Sequence, residues 1–106
     1  MPKYLFSGSY TQEGVKGLLK EGGSSRRATI EALAKGMGGS IEAFYYAFGE
    51  NDVYVIGDMP DHETAAAISL AVGASGAVQL NTTVLITPEE IDQAAKKTVD
   101  YRPSGQ

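Results

Sequence analysis

The run Ile41-Glu-Ala-Phe-Tyr-Tyr-Ala-Phe48, followed by Gly49-Glu-Asn-Asp52 and Val53-Tyr-Val-Ile56, constrains the fold more than any other part of the chain. Two segments rich in aromatic and β-branched residues, separated by turn residues, pair as an antiparallel hairpin. Both parities of this hairpin are apolar. Ile41, Ala43, Tyr45 and Ala47 alternate with Phe44, Tyr46 and Phe48, and Val53 and Val55 alternate with Tyr54 and Ile56. A sheet with one face in water alternates apolar with polar residues. This hairpin therefore needs a cover on each face, because uncovered aromatic area of that size would be a large exposed patch.

The rest of the chain supplies one cover. Tyr4 to Tyr10 reads as a strand, and Thr11 to Glu21 as a short amphipathic helix with Val15, Leu18 and Leu19 on one side. Gly22-Gly23 breaks it. Ser24 or Ser25 offers the N-cap of a second helix, which carries Ile30, Leu33, Ala34 and Met37 and ends at Gly38-Gly39. After the hairpin, Asp61 caps an alanine-rich helix from about His62 to Ala74, suited to close approach to a sheet. Ala77 to Ile86 reads as the last strand, and Thr87-Pro-Glu-Glu90 is a capping box opening a short terminal helix. The order is that of an α+β, ferredoxin-like βαββαβ fold: a four-stranded antiparallel sheet with its helices on one face. Residues 1–100 are expected to form one domain, with a polar tail over 101–106. For the second face the simplest cover is the same face of another copy, giving a sheet-to-sheet homodimer.

Charge and composition remove several function classes. Nine Lys and Arg against thirteen Asp and Glu leave a net charge of −4, the wrong sign for gripping phosphates, so no nucleic acid is expected as partner. The absence of cysteine and the single histidine, His62, leave no thiolate or two-imidazole metal site in one chain. No metal or cofactor is expected. The start Met1-Pro-Lys-Tyr-Leu-Phe-Ser-Gly lacks a basic segment followed by an apolar run, and Ala65 to Leu80 is too interrupted by polar and small residues to span a bilayer. A cytoplasmic protein without membrane partners is the expectation.

Several segments together carry a family resemblance: Tyr4-Leu-Phe-Ser-Gly-Ser-Tyr-Thr11, Gly14-Val-Lys-Gly17, the Glu-Gly-Gly-Ser-Ser-Arg-Arg run ending at Arg27, Ala43-Phe-Tyr-Tyr-Ala-Phe-Gly49, and Asp52-Val53. From Met1 to about Glu90 the chain resembles the GYD-domain family, small bacterial and archaeal proteins of the dimeric α+β barrel superfamily. Where that family has Gly-x-Tyr-Asp, this chain reads Gly49-Glu-Asn-Asp52, with Asn51 in place of the tyrosine. The resemblance implies a barrel dimer and carries over no activity. The wider superfamily includes haem-degrading and cofactor-free quinone-forming monooxygenases, and a shared fold does not transfer function.

Two sets of residues are candidate sites. If Glu42 points away from the helices, Phe44 and Tyr46 share its face; with Ser7, Ser9, Gln79 and Asn81 they would line a central cavity that is aromatic with a few polar groups. The same residues could instead close a dimer interface. Separately, Ser24, Ser25, Arg26 and Arg27 at a glycine-rich helix start could hold an anion, or could be a cap followed by solvated arginines. Asp52 is expected to bond its own turn, and His62 to sit exposed at a helix start. The reading that follows is a homo-oligomeric barrel binding a small molecule. A cofactor-independent monooxygenase or isomerase acting on a small aromatic, with Glu42 as its carboxylate, and a structural or stress-associated protein without ligand are the alternatives.

Overall fold

A computed structural model describes residues 1–105; Gln106, the last residue of the expected tail, lies outside the described residues. Its elements run β1 (Lys3–Tyr10), α1 (Gln12–Glu21), α2 (Gly23–Gly36), β2 (Ser40–Tyr46), β3 (Val53–Asp58), α3 (His62–Ala74), β4 (Val78–Leu85) and α4 (Pro88–Ala95). The strands form one antiparallel sheet in the order β2-β3-β1-β4. This is the ferredoxin-like arrangement: the hairpin β2–β3 holds one edge, and β1 runs between β3 and β4.

Local chemistry fixes most of the boundaries. Thr11 caps α1 by accepting the Gly14 N–H at 3.2 Å. Gly22, at φ 87°, ends α1 and serves as the N-cap of α2. That φ is in the left-handed region, which costs glycine little. The expected Ser24 or Ser25 cap is therefore absent; α2 starts two or three residues earlier and has no side-chain cap. The capping box at Thr87 and Glu90 closes with bonds of 2.9 and 3.1 Å.

At the start of α3, the Asp61 carboxylate accepts the Thr64 hydroxyl at 2.7 Å and the Thr64 N–H at 2.8 Å. These donors hold the Asp61 carboxyl below its ordinary value of 3.8. A carboxyl depressed on folding stabilises above its unfolded pKa and loses that contribution as pH falls through the folded value. Asp61→Asn keeps an acceptor but does not titrate. The wild type should melt above Asp61→Asn by a constant margin at about pH 5–7, and the margin should shrink as pH falls below the ordinary carboxyl range, in melts followed by circular dichroism.

The core lies between the helices and one face of the sheet. It contains Tyr4 and Phe6 of β1, Val53 and Val55 of β3, Ala34 of α2, and Ala65 and Ile68 of α3, closed at one end by Met59. One irregularity decides which β2 residues join it. Ile41 lies opposite Gly57 and Ala43 opposite Ile56, so Glu42 is an extra residue in a bulge. Past the bulge the parity reverses. Ile41 and Phe44 both pack on the core, and the Tyr46 hydroxyl donates to the Gly23 carbonyl of α2 at 3.0 Å. The expectation that Phe44 and Tyr46 share the open face with Glu42 is thus corrected: they lie under the helices, and Ala43 and Tyr45 take their place.

Candidate functional site

With the register known, the open face can be read across the strands. One row is Tyr45, Tyr54, Ser7 and Asn81; the next is Ala43, Ile56, Leu5 and Thr83. Ser9 and Gln79 stand opposite each other at one end. The structure brings Ser7, Ser9, Gln79 and Asn81 to this face together, and puts Tyr45 and Tyr54 beside them. Ser7 is buried among its neighbours. Ser9 is engaged in holding the hairpin, donating to the Glu50 carbonyl at 2.8 Å. At the other end Lys3 bridges Asp58 at 3.0 Å and Glu42 at 3.1 Å, and these two bonds, Asp58 first, raise the lysine pKa. Glu42 is half-exposed and ion-paired, which is unlike the apolar burial that makes a carboxyl a general acid at neutral pH.

Two other residues find partners that local sequence does not reveal. The Asp52 carbonyl closes its own turn, accepting the Ala47 N–H at 2.8 Å, but its side chain bonds elsewhere. Its Oδ2 accepts the Tyr10 N–H at 2.8 Å, and its own N–H donates to the Gly8 carbonyl at 2.7 Å. This aspartate extends the β1–β3 pairing past the last regular residue. The His62 ring stands edge-on to the ring of Tyr4 and its Nδ1 meets the Tyr4 hydroxyl. Tyr4 is almost wholly buried, and burial, with the nearby Asp61 and Glu63 charges, pushes its phenol pKa up. The pair fastens the start of α3 to β1.

A partly open apolar pocket lies on the helix side. Between α2, α3 and the sheet is a cavity of about 260 Å³. Its floor is Phe6, Val53 and Val55; its walls are Ile30 and Leu33 on α2, and Ile68 and Val72 on α3. The spacing explains the walls. Positions 26, 29, 30, 33 and 34 form one stripe of α2, and 68, 71, 72 and 75 one stripe of α3. α2 lies over β2 and α3 over β4, so the middle strands are left as a floor beneath the gap. The alanine-rich character of α3 cuts two ways. Ala65 does approach the sheet closely and is buried, but few α3 side chains are long enough to fill the space toward α2.

The polar groups of this cavity gather at one end. Tyr10, Arg26, Thr29 and Ser75 line it there, near the start of α2 and the end of α3. Thr29 donates to the Ser25 carbonyl at 3.1 Å and Ser75 to the Val72 carbonyl at 2.6 Å, so both hydroxyl protons are used. Arg26 faces Glu21 at 3.6 Å, and about a third of its side chain is exposed. Tyr10 is pushed up to about 12, first by burial, then by its neighbour Tyr46, against the opposing pull of the Arg26 charge. Of the four residues expected to form an anion site, only Arg26 lines the cavity; Ser24, Ser25 and Arg27 are exposed outside it. The sequence signal for the cavity was the conjunction of small residues on α3 with an arginine on the apolar stripe of α2.

Among the described residues no three His, Asp or Glu side chains come together as a metal site, and no helix is long and apolar enough to cross a membrane. The sequence profile of the GYD domain matches residues 4–95. No curated relative and no solved structure matches the chain.

Proposed function

The chain belongs to the GYD-domain family, and from that premise we propose that it is a homo-oligomeric protein that binds a small, mainly apolar molecule. The apolar cavity between α2, α3 and the sheet carries the binding half of this reading. Its volume of about 260 Å³ exceeds the roughly 150 Å³ of an engineered apolar cavity that holds benzene. By that ratio it takes about ten carbon atoms. Naphthalene is a suitable probe. Methyl resonances of Ile30, Leu33, Ile68 and Val72 should shift saturably with a Kd near or below about 1 mM, or about −4 kcal/mol. Shifts confined to exposed methyls such as those of Leu70 and Val84 would contradict the reading.

The oligomeric half is supported by three separate surfaces. Tyr45 and Tyr54 lie exposed on the open face beside the half-buried Ile56, with Tyr45 70% exposed. The free edge of β4 runs Val-Gln-Leu-Asn-Thr-Thr-Val-Leu, with no charge, proline or bulge. Such devices normally protect an edge strand from pairing with another chain. Finally, every described residue from Pro88 onward is exposed, including Ile91, Val99 and Tyr101. The radius of gyration is 16.9 Å, against about 13 Å for a compact chain of this length. A second copy offers cover to all three surfaces.

A further inference from the structure

We propose that the cavity takes a monocarboxylate with an apolar body of about ten carbons, its carboxylate held at the mouth by Arg26. This rests on the reading that the cavity binds a small molecule and adds the chemistry of its ligand. The size follows from the volume, about 260 Å³, by the benzene comparison. The head group follows from a census of hydrogen-bonding capacity at the polar end. Thr29, Ser75 and Tyr46 spend their hydroxyl protons on the Ser25, Val72 and Gly23 carbonyls. The Ala77 carbonyl, also at this end, accepts from Thr11. The Asp52 carboxylate accepts from the Tyr10 N–H.

The donor capacity left unspent lies on Arg26. The Arg26 guanidinium has five N–H groups in a planar fork. Among the described residues its ion-pair partner is Glu21, whose carboxylate stands at 3.6 Å, beyond ordinary hydrogen-bond distance. Tyr10, pushed up to about 12 by burial and by its neighbour Tyr46, to which its hydroxyl hydrogen-bonds, keeps its proton throughout the physiological range and so does not compete as an anion. A guanidinium at the mouth of an apolar chamber fits an acceptor-only head group on an apolar body. A carboxylate suits it best, since guanidinium binds carboxylate in two parallel hydrogen bonds. An alcohol of the same length fills the chamber equally but offers no charge to Arg26.

Calorimetry with decanoate and decanol separates the ligand class from binding itself. Decanoate should bind at least about tenfold tighter than decanol, the lower end for hydrogen bonds to a charged group. Arg26→Gln should remove that preference. Hexanoate and tetradecanoate should both bind more weakly than decanoate, one underfilling the cavity and the other exceeding it. Equal affinity for decanoate and decanol would overturn the carboxylate assignment and leave the cavity reading standing. So would a preference that survives Arg26→Gln in protein with an unchanged melting profile. Binding of neither probe would overturn both.

Discussion

Light scattering at micromolar concentration should return a mass at least twice the 11.2 kDa of the chain. The physical reason is the open face of the sheet, where Leu5, Ile56, Tyr54 and Tyr45 form a continuous apolar band across three strands. Ile56 sits on β3, an inner strand, near the middle of that band. Replacing it by aspartate places an unpaired charge where a second sheet would exclude water, which is costly. In an isologous interface the change occurs on both partners at once. Ile56→Asp should therefore weaken association at least about 100-fold, or roughly 2.7 kcal/mol, and give the monomer mass at low micromolar concentration. Ala67→Asp, on an exposed position of α3, should leave the mass unchanged. A wild-type mass near that of one chain, or an Ile56→Asp protein as large as the wild type, would remove the oligomer reading.

The contrast between Ile56 and Tyr46 shows how far the sequence could be read. Every strand and helix announced itself through turns, caps and periodicity, because those signals act between residues a few positions apart. The Thr87 capping box and the Asp61 cap formed as their spacing implied. Sheet faces are another matter. Alternation assigns them only if no residue is inserted, and the bulge at Glu42 inserted one. Ser7, Ser9, Gln79 and Asn81 lie on strands with unbroken register and landed on the face expected of them. Phe44 and Tyr46 lie beyond the bulge and landed on the other. Nothing in Ile-Glu-Ala marks a bulge locally; Glu42 is held out by Lys3, 39 residues away in sequence.

The cavity was hidden for a similar reason. Whether small side chains let a helix close onto a sheet or leave a void depends on how far apart two helices are held, and no segment of either helix encodes that distance alone. Arg26 was singled out for its place at a glycine-rich helix start. Its role at the cavity mouth comes from the stripe it shares with Ile30 and Leu33, a relation visible in the spacing but meaningful only once α3 stands opposite.

Gly14→Ala and Gly17→Ala should change stability in opposite directions, although they make the same chemical change one turn apart in α1. A Cβ on Gly14 would stand 1.9 Å from the Ala77 carbonyl oxygen and 2.9 Å from the Tyr10 ring. The carbonyl cannot step aside: it accepts the Thr11 N–H at 2.9 Å and the Thr11 hydroxyl at 3.2 Å, which pin the start of α1 to the turn before β4. The helix must move instead, breaking those bonds. Overpacking of this kind costs about 1–3 kcal/mol and occasionally more. With the lost hydrogen bonds added, Gly14→Ala should lower Tm by roughly 15 °C for a domain of this size. Gly17 has nothing within 4 Å of its would-be Cβ, so alanine there gains helix propensity alone, about 0.5–1 kcal/mol. Gly17→Ala should raise Tm by roughly 4 °C. Both glycines belong to the segment that carries the family resemblance, yet only the first is needed for a close approach. Thermal melts of the two variants decide it: shifts of the same sign would mean that α1 does not rest on the Ala77 carbonyl. Because Tyr10 is the other atom group in the way, Gly14→Ala should also disturb the cavity mouth, and decanoate affinity should fall with it while Gly17→Ala leaves that affinity intact.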